Sequence, residues 1–74
     1  MRTVCISLPT PGAVQDFVAE ISPLGGQFDL LCGKYVLDAK SLMGIFALDL
    51  TEPLTLRVEK DTATAMQAIE RFLA

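Results

Sequence analysis

AKSLMGIFAL, residues 39–48, marks the point where a strand-like run gives way to a short apolar helix. Ser41 stands at the junction. A serine there accepts a hydrogen bond from one of the first free helix N–H groups, a cap worth about 1 kcal/mol. Behind it, Leu42, Met43, Ile45, Phe46 and Leu48 are too many to share one helical stripe, so some of them must face solvent. The chain contains no histidine, so the commonest acid/base, metal-ligating and phosphoryl-accepting side chain is absent.

Upstream, QFDLLCGKYVLDA holds two short apolar runs around Cys32-Gly33-Lys34, which predicts a β-hairpin turning near Gly33. Phe28 and Leu30 are expected to point to the core from its first strand, and Tyr35 and Leu37 from its second. Leu31 and Val36 then fall on the opposite face. Further back, TVCISL alternates, with Val4, Ile6 and Leu8 on one side and Thr3, Cys5 and Ser7 on the other. Thr10 followed by Pro11 is a hydroxyl cap with a proline at the first helical position. Val14, Phe17, Val18 and Ile21 recur at helical spacing until Pro23 and Gly25-Gly26 end the element.

Downstream, EPLTLRVEK alternates again, with Leu54, Leu56 and Val58 inward. Asp61 or Thr62 caps a last helix whose Ala65, Met66, Ile69, Phe72 and Leu73 supply an apolar face. Every strand then has one apolar face and every helix one stripe to bury. Three helices on one face of a four-stranded antiparallel sheet satisfy both. The expected fold is α+β, an open-faced β-sandwich in the order β-α-β-β-α-β-α, forming a single domain over residues 1–74. Its second sheet face is left to solvent or to a partner.

Composition narrows the function classes. At 51% apolar and 20% charged the chain has the profile of a packed globular unit. The net charge is −3 and the basic residues Arg2, Lys34, Lys40, Arg57, Lys60 and Arg71 are scattered, so no stripe exists to neutralise a phosphate backbone. Nucleic acid is not an expected partner. No apolar run approaches the roughly 20 residues that a membrane helix needs, and no export signal is visible at the N-terminus, so the expected compartment is the cytoplasm. Cys5 and Cys32 lack metal-ligand spacing and a histidine to activate them, and are expected as buried or half-buried packing residues. Neither a metal nor a cofactor is expected.

Ala39-Lys40-Ser41-Leu42-Met43, Asp16-Phe17-Val18 in the first helix, the element order and the chain length together resemble the HPr family, the small phosphocarrier proteins of the bacterial phosphoenolpyruvate-dependent sugar phosphotransferase system. In that family a serine after Ala-Lys opens the short second helix. The carrier histidine lies in a motif of the form Gly-Leu-His-x-Arg-Pro-Ala, which is missing here: Thr10 stands opposite the histidine and Gly12 opposite the arginine. A phosphothreonine ester is a reluctant donor compared with a phosphoimidazole, so Thr10 is expected to be a plain helix cap. Loss of the arginine removes the bidentate phosphate clamp as well.

The resemblance implies a second role. In many family members the corresponding serine is phosphorylated by a dedicated HPr kinase, and the modified form binds a regulator of carbon catabolite control. The resemblance implies Ser41 as the phosphorylation site here, and Lys40, Leu42, Met43 and Phe46 as the surface presented to partners. The leading expectation is a regulatory or interaction protein that does not carry phosphate on histidine.

Two other readings stand beside it: a scaffold module without phosphorylation, favoured if Leu42, Met43 and Phe46 are all buried, and a small ligand-binding or enzymatic domain, favoured by a deep pocket. The enzymatic reading is the weakest, because the carboxylates are spread along the chain with no spacing that joins two of them to a base. A weak homodimer through Leu31 and Val36, with Cys5 nearby, is a further expectation for the sheet surface.

Overall fold

Leu56 lies between Val4 on one side and Leu30 on the other, at the centre of a four-stranded antiparallel sheet. The computed structural model describes residues 1–74. Its elements are β1 (Arg2–Ile6), α1 (Pro11–Ile21), β2 (Phe28–Cys32), β3 (Tyr35–Asp38), α2 (Leu42–Phe46), β4 (Leu54–Val58) and α3 (Ala63–Ile69), with a closing 3₁₀ turn over Glu70–Phe72. The strands lie in the order β1-β4-β2-β3. The fold is α+β, with three helices and one sheet, as the alternation of apolar residues predicts.

Register explains how the sheet acquires one apolar face. Because directly opposed residues share a face, Val4, Leu56, Leu30 and Leu37 form one row, and Phe28 and Val58 stand on the same side. These rows meet Val14, Phe17 and Ile21 from α1, Ile45 from α2, and Ala65 and Ile69 from α3 in a single core. Phe17 and Phe72 make its aromatic contact, edge to face at 5.4 Å between ring centres. The other sheet face is uncovered.

The caps behave as their residue types dictate. Thr10 Oγ1 accepts from the Ala13 N–H at 3.1 Å with Pro11 at the first helical position, and Thr62, rather than Asp61, caps α3 by accepting from Ala65 N–H at 3.2 Å. The β2–β3 hairpin closes through Gly33-Lys34, and Gly33 takes a φ of +59°, with glycine at the first loop position as a type II′ turn requires.

Three side chains depart from the pattern. Tyr35 lies on the helix-covered side but is 70% exposed, because the hairpin tip runs past the end of the helical layer. Leu73 does not continue the face of α3. After Ile69 the chain tightens into the 3₁₀ turn and unwinds, and Leu73 pairs with Ile6 as an extra bridge at the sheet edge, leaving its side chain exposed. Cys5 is exposed and Cys32 half-buried, both as free thiols, because Cys5 points out of the uncovered face where there is nothing to bury it.

On that uncovered face one row is charged: Thr3, Arg57, Asp29 and Asp38 stand side by side. Asp29 and Asp38 are opposed like charges, which would repel if left bare. Asp29 is relieved by Gln27 Nε2 donating at 2.9 Å and by the Arg57 guanidinium at 2.9 Å, while Asp38 turns an oxygen to its own Lys40 N–H at 2.9 Å. The hydrogen bond from Gln27, then that from Arg57, holds the Asp29 carboxyl below the usual carboxylate range against a smaller opposing effect of burial. A carboxyl whose folded pKa lies below its unfolded value contributes stability above the unfolded pKa, about 3.9, and loses it as pH falls through the folded value. Asp29→Asn should therefore cost on the order of 1 kcal/mol at pH 7, with the difference from wild type closing as the pH falls through the folded value, read by urea denaturation at neutral and acid pH.

Candidate interaction site

The segment from Asp38 to Leu48 is built as a tight corner. Asp38 receives the Lys40 N–H on its side chain and the Ser41 N–H on its carbonyl at 3.0 Å, which turns the chain out of β3. Ala39 is fully buried and donates its N–H to Phe28 C=O at 2.8 Å, so the corner is pinned to the sheet. Ser41 then caps α2, its Oγ accepting from Gly44 N–H at 3.4 Å, a long bond. A side chain on Gly44 would meet that Oγ at 3.1 Å, so glycine leaves room for the cap.

The helix has five residues, which is less than one and a half turns. Positions three apart share a side, so Leu42 and Ile45 form one pair and Met43 and Phe46 the next. Ile45 is fully buried and Leu42 half-buried against the core. Met43 is 80% exposed and Phe46 40% exposed. The sequence-expected surface therefore divides. Met43 and Phe46 face solvent beside the exposed Ser41, and Leu42 belongs largely to the core.

Lys40 is engaged elsewhere. Its Nζ donates to Leu24 C=O at 2.6 Å and lies 5.5 Å from the centre of the Phe28 ring, which ties the loop after α1 to the sheet. In this position it anchors the corner, and its ammonium is withdrawn from the expected partner surface. Thr10 stands exposed at the head of α1, where its hydroxyl serves the cap.

Between α2 and β3 runs an open groove of about 390 Å³ lined by Tyr35, Leu37, Gly44, Ala47 and Leu48. Tyr35 is the element of this surface that periodicity misplaced. Its only sequence signal is its position one residue beyond a two-residue turn, where a strand outruns its cover. A second depression, about 570 Å³, lies between α1 and α3 at Glu20, Gln67, Ala68, Glu70 and Arg71, where Arg71 reaches Glu20 at 3.5 Å. It is open and polar. Asp49 lies in a turn at the other end of α2, its carboxyl held low by the Thr51 hydroxyl and backbone N–H.

No group of three or more Cys, Asp or Glu side chains converges, and no helix is long and apolar enough to cross a membrane. Comparison with family models, curated proteins and solved structures gives no match for this chain.

The division of α2 has a direct consequence for stability. Ile45→Ala removes the only fully buried side chain of the helix and should cost about 2–4 kcal/mol, whereas Met43→Lys should stay within about 0.5 kcal/mol of wild type in the same urea titration.

Proposed function

We propose that this protein is a non-catalytic recognition protein of HPr-like kind, acting in the bacterial cytoplasm in the control of carbohydrate metabolism, and that it engages a protein partner through α2. The observation that carries this reading is the exposure of Met43 and Phe46 on a rigidly pinned corner, next to the exposed hydroxyl of Ser41. A flexible thioether and an aromatic ring side by side suit a surface that must fit another protein. Burial of Leu42, Met43 and Phe46 together would have favoured the scaffold reading, and of the three only Leu42 packs against the core.

Ser41 is the proposed point of regulation, through phosphorylation by an HPr kinase and recognition by a carbon-catabolite regulator. Its Oγ is bound only by the long contact to Gly44 N–H, so the hydroxyl is easily released from its capping role. A phosphate there would carry about −1.5 to −2 charge and strong acceptor oxygens toward the free N–H groups at the start of α2. With Lys40 held at Leu24, those backbone donors supply the compensation.

Incubation with ATP and an HPr kinase should add one phosphate by intact mass, and Ser41→Ala should add none. A Met43→Asp, Phe46→Ser double variant should still be phosphorylated yet bind the regulator at least about tenfold more weakly. Absence of any mass gain would return Ser41 to the role of a cap. In the companion experiment, phosphoenolpyruvate and the first enzyme of the phosphotransferase system should leave no acid-labile phosphate on the chain, since Thr10 replaces the carrier imidazole.

A further inference from the structure

The two edges of the sheet are finished differently. In β1, residues 2, 4 and 6 turn their backbone groups to β4, so Cys5 and Ser7 turn theirs outward. The end of the chain meets them: Ser7 N–H donates to Phe72 C=O at 2.8 Å and Ala74 N–H to Cys5 C=O at 3.0 Å. In β3, the Ala39 N–H to Phe28 C=O bond sets the parity, so 35, 37 and 39 face β2 and Val36 turns both its N–H and its C=O away from the sheet. Nothing covers that edge.

We propose that β3 pairs with β3 of a second copy of this chain, antiparallel about a two-fold axis at Val36, joining the two sheets into one of eight strands. A bare edge is ordinarily protected by being short and charged, and β3 has four residues, with Asp38 as its last and the turn residue Lys34 just before its first. Here the arrangement of those charges works the other way. Reversing the strand about Val36 sets Lys34 against Asp38 of the second copy at both ends, so the segment KYVLD is complementary to itself.

The side chains follow the same symmetry. Val36, 58% exposed, meets its own counterpart on the uncovered face, and its outward N–H and C=O form two reciprocal hydrogen bonds across the axis. Tyr35, 70% exposed, stands opposite the second copy's Leu37 on the helix side. Leu37 lines the groove between β3 and α2, so the ring that overhangs its own helical layer gains cover from the neighbouring one. The contact is small, so association is weak and concentration-dependent. The pairing does not require a phosphate on Ser41.

The test is sedimentation equilibrium from micromolar to about 1 mM, where the mass should rise from 8.0 kDa toward twice that value. Lys34→Glu sets like charges against each other at both ends and should remain a monomer, as should Asp38→Lys. An equimolar mixture of the two variants restores both ion pairs and should associate where neither does alone. Wild type that stays monomeric at about 1 mM overturns the proposal. So does a Lys34→Glu chain, folded by its amide spectrum, that associates like wild type. Loss of association in Leu31→Lys with the charge variants unaffected would place the contact on the open sheet face and overturn the edge pairing as well. Lys34→Glu alone is decisive if Asp38→Lys does not fold.

Discussion

The structure rests on the insertion of β4, formed late in the chain, between β1 and β2. Val58 then opposes Phe28 and Leu56 opposes Leu30 on one side, and Leu56 opposes Val4 on the other. Because side chains alternate along a strand, that one register sends every large apolar residue of β4 to the same face, where α1 and α3 cover them. A slip of one residue would turn Leu54, Leu56 and Val58 to water and bring Thr55 and Arg57 into the core. In a chain this small there is no second core to compensate.

What the sheet leaves over is assigned to the α2 corner. Ala39 and Ile45 hold it from below, and Lys40 ties it to the loop after α1. A helix of five residues offers only one inward pair, so two large apolar side chains are displayed as a consequence of its length. The proposed recognition surface is therefore a product of how little helix there is. A longer α2 would have had room to turn more of this cluster inward.

The edges show the same economy of length. After α3 the chain passes through the 3₁₀ turn and pairs with β1, while β3, at the other edge of the sheet, has no strand beside it. Tyr35 is exposed because the hairpin tip outruns the helical layer, and Val36 because it stands on the uncovered face of the sheet. The proposed pairing of two β3 edges and the proposed recognition by α2 use neighbouring but different surfaces, one backbone-directed and one side-chain-directed.

The elements, their order, the caps at Thr10, Ser41 and Thr62, and the inward sets Val14-Phe17-Ile21 and Leu54-Leu56-Val58 were legible in the linear chain, because periodicity and capping depend on neighbours a few positions apart. The surplus of apolar residues after Ser41 was visible too, though not how it would divide. Tyr35, Leu73, Cys5 and the ammonium of Lys40 were placed otherwise than sequence reading expects. Their surroundings are made by segments distant in the chain: the end of the helical layer, the strand edge beside Ile6, the empty side of the sheet and the carbonyl of Leu24. Local spacing tells a residue which way to point along its own element; whether anything is there to meet it depends on where the other elements stop.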